Sequence, residues 1–262
     1  MEYENELKQA FKLADIADEI GMRYFLSREL KVTTKPDSSP VTQGDTEIEK
    51  ALSKIVTEEF GDSYVGEEGT RSGSSKRRWL VDPIDGTKNF LRGYPVWGSL
   101  ISLKDGDEVI AASVSAPALG RRWWATKGGG SFTRDVTGKE RRISVSKVAK
   151  LSDAFLLHGT FNSLEQVSVN PDAVYKLMRS AWRHRSPGDF FGHMLIAEGT
   201  ADGFVDVPSA LWDIEASTLI VREAGGSMWL RPKDESEVKL QRLAVSSNSA
   251  IEKDILDFLR LK

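Results

Sequence analysis

The 262-residue chain contains no cysteine, which excludes both disulfides and thiolate zinc centres. Its three histidines are scattered, so a histidine-rich metal site is disfavoured and any metal has to rely mainly on oxygen ligands. No apolar run approaches the roughly 20 residues of a membrane span. The opening "MEYENELKQAF" is acidic where a secretory signal is basic, so a cytoplasmic location is expected. Charge of one sign is not in excess either. Lys plus Arg is 36 and Asp plus Glu is 39, a net −3, which provides no general attraction for nucleic acid or an anionic membrane. These absences leave a small molecule as the expected partner. What is present, 40% hydrophobic residues in a chain of this length, can bury a sizeable core without staples.

Leu7, Phe11, Ala14, Ala17, Ile20 and Tyr24 recur at three- and four-residue steps, which predicts a long helix over residues 4–26. "KVTTKPDSSPVTQGD" is dense in Pro, Ser, Thr and Asp and reads as irregular loop, after which Thr46 to Phe60 regains helical periodicity. "SYVGEEG" reads as a short strand ending in two carboxylates. From Val96 to Phe132, apolar runs separated by "KDGD" and "ALG" predict antiparallel strands. The second half alternates: strands near 154–158, Trp182 and 203–207, with helices after Pro171 and over 189–198, 211–224 and 251–261. That order predicts a layered α/β fold. The polar segment 134–153 is the candidate boundary between subdomains 1–143 and 144–262 of one domain.

Four acidic sites share a context in which an apolar segment meets a turn: Asp45, Glu67 with Glu68, Asp82 with Asp85, and Asp213. In "WLVDPIDGTKNF" the strand Trp79–Val81 is expected to leave the interior at Asp82 and turn at Pro83. Close carboxylates repel one another, and hard divalent cations such as Mg²⁺ answer that repulsion with shared oxygen ligation. For any one acid the bland reading is a helix cap or a solvated charge, Asp213 before "IEAS" being a plausible cap.

"GEEG", "WLVDPIDGTKNF" and "WDIEASTLIVREAGG" resemble, in order and spacing, the signatures of the inositol monophosphatase family, and the resemblance covers nearly the whole chain. It implies a layered αβαβα sugar-phosphatase fold, two to three Mg²⁺ per site and a homodimer. Glu67, Asp82 and the carbonyl of Ile84 would hold one Mg²⁺, and Asp82, Asp85 and Asp213 a second; a third would share Glu67. By the same resemblance, a metal-activated water attacks a phosphate monoester. Thr87, hydrogen-bonded to Asp45, orients that water together with Glu67, and Gly86 and Thr87 offer N–H groups to the phosphate. Lys35 is placed near the third metal's water shell.

Within the family, "R-x-x-G-D-F" at 185–190, "PVWGSLISL" and "SAPALGRRWWAT" most resemble the histidinol-phosphate phosphatases of histidine biosynthesis. Asp189 is then expected to face a substrate ammonium, with Trp97 and Arg185 as further pocket residues; the bland reading makes Asp189 a helix cap. An inositol-1-phosphate phosphatase and a regulatory binding member are the alternatives. "TKGGGSF" lacks the order of a phosphate loop and reads as a hairpin turn. The basic pairs 77/78, 121/122 and 141/142 read as solvated faces, His158 and His184 as satisfied residues near strands, and Trp123 and Trp124 as packed in the sheet or at a subunit contact.

Overall fold

A computed structural model describes residues 2–27, 30–34, 40–208, 210–232 and 240–261. Lys35 lies outside them. The chain opens with α1 (Glu4–Tyr24), the short hairpin β1 (Val32–Thr34) and β2 (Pro40–Thr42), and α2 (Gln43–Ile55), whose helix continues as one wider turn to Phe60. Then come β3 (Ser63–Gly66), β4 (Arg71–Ser72), β5 (Arg77–Asp85) and α3 (Thr87–Arg92). β6 (Gly98–Asp105), β7 (Glu108–Ala116), β8 (Arg121–Thr126), β9 (Gly130–Arg134) and β10 (Glu140–Ile143) follow as a meander. The second half holds β11 (Phe155–His158), α4 (Pro171–Ser180), β12 (Arg183–Arg185), α5 (Phe191–Ala197) and β13 (Gly203–Asp206). It closes with α6 (Glu215–Glu223), β14 (Ser227–Arg231), β15 (Leu243–Ser247) and α7 (Glu252–Phe258).

The larger sheet runs β10-β9-β8-β7-β6-β5-β3-β4 and is antiparallel except between β3 and β5. The smaller runs β12-β11-β13-β15-β14, parallel across its first three strands and antiparallel beyond. Strand alternation converts these two sheets into five layers. Trp79 and Val81 of β5 face Ala10, Leu13 and Ile48 of α1 and α2, while Leu80 between them faces the opposite cluster with Met194 and Ile220 of α5 and α6. Phe204 and Ala244 join that same middle cluster from the smaller sheet, and their neighbours Val205 and Val245 face Leu177 and Ile255 of α4 and α7. The order is therefore αβαβα, as the resemblance implied.

Three readings need correction. β5 does not end at Val81 but runs, buried, through Ile84, because its pairing with β6 continues beyond the last β3 pair, Gly66 with Val81. The segment before Asp45 is not all irregular: β1 and β2 pair in it, and Asp45 belongs to the first turn of α2. Arg122 is not on a solvated face. It is buried and pairs with Asp15 and Asp18 of α1 at 2.7 and 2.6 Å, locking that helix to β8. "TKGGGSF" does form the β8–β9 turn, and the N–H groups of Gly128 and Gly130 donate to the Glu223 carboxylate at 2.8 Å each. Trp123 and Trp124 pack within β8, and His158 Nδ1 meets the carbonyl of Gly159 at 2.9 Å. Among the described residues no helix is long and apolar enough to cross a membrane.

Candidate active site

The ends of β3, β5 and β13 and the starts of α3, α5 and α6 converge on one cavity of ≈ 550 Å³. Glu67, Asp82, Ile84, Asp85, Gly86, Thr87, Asp189 and Asp213 all line it. Asp82 and Asp85 face it together because of a bulge. Asp82 pairs with Leu100 and Asp85 with Gly98, so three steps on β5 answer two on β6. In a regular strand, residues three apart point to opposite faces; one extra residue brings both carboxylates to the same side. The hydroxyl of Ser99 holds the bulged Pro83 carbonyl at 2.7 Å, and the Ile84 N–H donates to Asp82 Oδ1 at 3.0 Å.

Glu67 sits just past β3, in a loop tied down from behind. The buried carboxylate of Glu49 accepts the N–H groups of Glu68 and Thr70 at 2.6 and 3.2 Å. It comes so close to Gly66 that a Cβ there would lie 2.0 Å from Oε1, which only glycine avoids. Asp213 lies before α6 and accepts the Ala210 N–H at 3.1 Å; the cap position is Ile214, so Asp213 is not the cap of α6. Two residues on, Glu215 is buried against Lys104 of β6 at 2.7 Å, which anchors this helix start to the larger sheet.

Burial pushes Asp82 well above the usual carboxylate range, reinforced by the charges of Glu67, Asp85 and Asp213 and by a hydrogen bond with Glu67. Burial does the same to Asp85, reinforced by Asp189, Asp213 and Asp206 and opposed by the Phe190 N–H, which donates to its Oδ2 at 2.9 Å. Among the described residues no three acidic or histidine side chains stand close enough together, as placed, to hold a metal ion. The donor set nevertheless fits a hard divalent cation: it is all oxygen, with Asp82 buried and Glu67, Asp85 and Asp213 half-buried at the cavity wall, and its acids repel one another until a positive charge is supplied.

A stability prediction follows from these shifts. Protons bind Asp82 and Asp85 more tightly in the folded than in the unfolded chain, so both favour folding at low pH. That contribution is lost as pH rises from about 4 through the raised folded values. Mg²⁺ is expected to offset the loss, raising the melting temperature several degrees more at pH 8 than at pH 5. Equal shifts at both pH values in a thermal-unfolding series would sink this account.

The remaining sequence-derived residues divide. Thr87 donates its hydroxyl to the Ile84 carbonyl at 3.1 Å, and Gly86 takes a left-handed conformation ahead of α3. The expected Thr87–Asp45 pair is a correction: the Thr87 hydroxyl is committed to Ile84, and Asp45 is fully buried off the cavity in a capping box, its Oδ2 accepting the N–H and the hydroxyl of Thr42, both at 2.7 Å. Trp97 is a correction. It is 0% exposed, packed edge-on against Phe90 at 4.8 Å under α1, and so cannot touch substrate. Arg185 is also a correction. It is exposed, donates to the neighbouring His184 carbonyl, and does not line the cavity.

Asp189 lines the cavity and caps nothing. α5 is shorter than expected, Phe190 holds its cap position, and Asp189 takes an unusual φ of 39°. Its Oδ2 accepts from Asn89 Nδ2 at 2.8 Å. Burial and the Asp206 charge push its carboxyl up to about 6, against the lowering effects of Asn89 and Lys88. The sequence reading missed Asp206 and Asn89. Asp206 carried the signal applied to the other acids, a carboxylate ending an apolar strand in "GFVDVPSALWD".

Five alternating layers around a carboxylate-lined cavity at strand ends are the architecture of the layered sugar phosphatases. The fold superposes on the extragenic suppressor protein suhB of Bartonella henselae with a TM-score of 0.83 at 25% identity, covering 98% of each chain. The inositol monophosphatase family model matches residues 2–259, and the chain belongs to that family. It is 41% identical over 231 residues to the histidinol-phosphatase of Streptomyces coelicolor, covering 86% of each chain. It is 40% identical to that of Mycobacterium tuberculosis, again over 86% of each.

Proposed function

We propose that this protein is a Mg²⁺-dependent phosphomonoester hydrolase that converts L-histidinol phosphate to L-histidinol and phosphate in histidine biosynthesis. The observation that carries the substrate is the acidity of the cavity beyond its cation end. Glu67, Asp82, Asp85, Asp213 and the Ile84 carbonyl would hold Mg²⁺, two or three ions in all. Asp189 and Asp206 line the same cavity in addition. Lys88 is the single lysine or arginine among the described lining residues, so acids remain in excess; a neutral polyol has no charge to offset them, whereas an ammonium does. The two histidinol-phosphatases at 41% and 40% identity support the same reading.

Bound Mg²⁺ supplies positive charge to the phosphoryl oxygens and acidifies the attacking water. The protein's own groups do the rest. The N–H groups of Gly86 and Thr87, at the start of α3, bind the phosphate. The Thr87 hydroxyl orients the water by accepting from it, and the Glu67 carboxylate takes up its proton. Asp189 binds the substrate ammonium and so contributes to substrate affinity. A homodimer and a cytoplasmic location belong to the same proposal; the exposed Trp182 and Tyr175 would suit a subunit contact.

Release of phosphate from L-histidinol phosphate and inositol 1-phosphate at equal Mg²⁺ tests the assignment. The expected kcat/KM favours histidinol phosphate by on the order of 100-fold, the range a buried charge pair supports. Faster hydrolysis of inositol 1-phosphate would transfer the assignment to that ester, and no Mg²⁺-dependent release from either would favour a binding role.

A further inference from the structure

Asp206 is backed by buried side chains, His193 and Ser246, that do not line the cavity. It ends β13, and its Oδ1 lies where a Cβ on Gly159 would be 2.0 Å away, a space that only glycine leaves open. Its Oδ2 is 3.5 Å from Nε2 of His193. His193 projects from α5, is 1% exposed, and packs against the Phe204 ring at 4.7 Å between centroids. Its Nδ1 is 2.9 Å from the hydroxyl of Ser246 on β15. Nε2, by contrast, is buried without a hydrogen-bond partner among the described residues. A buried polar nitrogen left so costs stability unless it serves something, and the atom it faces is a carboxylate of the cavity. A carboxylate oxygen only accepts, so the nitrogen facing it carries the proton and the Ser246 hydroxyl donates to Nδ1.

We propose that Ser246, His193 and Asp206 form a positioning relay that aims Asp206 at the substrate ammonium opposite Asp189, so that two carboxylates clamp one cation. The relay rests on the reading of the substrate as a phosphate ester bearing an ammonium. Asp206 touches the substrate; His193 and Ser246 do not, and act only through it. With the ammonium on Oδ1, Oδ2 remains free to close on the imidazole, which prevents the carboxylate from rotating away and lowers the ordering cost of binding.

Two esters that differ only in the amine test it: L-histidinol phosphate and its deamino analogue. The wild-type enzyme must prefer the amine in kcat/KM; no preference overturns the substrate reading and the relay with it. Given that preference, His193→Phe keeps a ring against Phe204 and removes both nitrogens. It is expected to reduce the preference about tenfold, through KM for the amine ester. His193→Gln, whose amide can accept from Ser246 and donate to Asp206, is expected to restore it to within about threefold of wild type. A histidine that only filled the core would slow both esters alike. Equal losses on the two esters, or a preference unchanged in His193→Phe, would overturn the relay. If the Phe variant does not fold, Ser246→Ala carries the same comparison with the imidazole intact. Its expected loss of preference is about threefold, and no loss there overturns the proposal.

Discussion

Asp85→Asn is expected to lower kcat/KM by on the order of 10³ at saturating Mg²⁺ while leaving the fold intact. The substitution conserves volume, and its amide oxygen can still accept the Phe190 N–H that now reaches Asp85 Oδ2 at 2.9 Å. What it removes is one of the charges gathered at the cation end. Burial and the charges of Asp189, Asp213 and Asp206 hold the Asp85 carboxyl far above its ordinary range, so its ionised form opposes folding in the absence of metal. The metal-free variant should therefore melt above the metal-free wild type, by about 2–4 °C for each kcal/mol of repulsion relieved. Its melting temperature should respond less to added Mg²⁺. Opposite movements of stability and activity mark a carboxylate placed for a cation, because a merely structural acid would lose both. Phosphate release within tenfold of wild type would remove Asp85 from the site.

Asp189→Asn should raise KM for L-histidinol phosphate by about 10- to 50-fold and leave kcat nearly unchanged. A charge-assisted hydrogen bond in a buried site contributes about 1.5–3 kcal/mol, and the amide retains the hydrogen bond without the charge. The backbone tolerates the change. Asp189 has a φ of 39°, and asparagine is among the few side chains that enter the left-handed region readily. Its side-chain oxygen can also keep the 2.8 Å bond from Asn89. Inositol 1-phosphate, which has no cation to pair, should show little change in KM. Steady-state kinetics on both esters decides it: equal increases would mean that Asp189 shapes the cavity and does not read the substrate.

Much of this was visible in the order of residue types. Helical periodicity placed α1 and the helix starting near Thr46, because one-sided burial imposes a 3.6-residue repeat whatever the partner surface. The turn signals "KDGD" and "ALG" between apolar runs placed the meander of the larger sheet. The acids of the cation end stood out because carboxylates at the ends of apolar strands are costly unless something compensates them. Trp97 misled for a related reason. An aromatic beside a motif looks available to a ligand, but its side of the sheet faces α1 and the first core. Arg185 lies three residues from Gly188 of the cavity, yet its side chain leaves the edge strand toward solvent.

By itself, then, the amino-acid sequence determined the layered α/β class, excluded thiolate chemistry and singled out the carboxylates of the proposed cation site. These follow from residue type, local period and motif spacing, which act over a few positions. Only the tertiary structure decided that Asp82 and Asp85 share a face, since that depends on a bulge defined against β6. It alone joined Asp189 and Asp206 in one cavity and set His193 and Ser246 behind Asp206. Residues 193, 206 and 246 meet through packing of α5, β13 and β15, and no periodicity in the chain encodes contacts between elements that far apart.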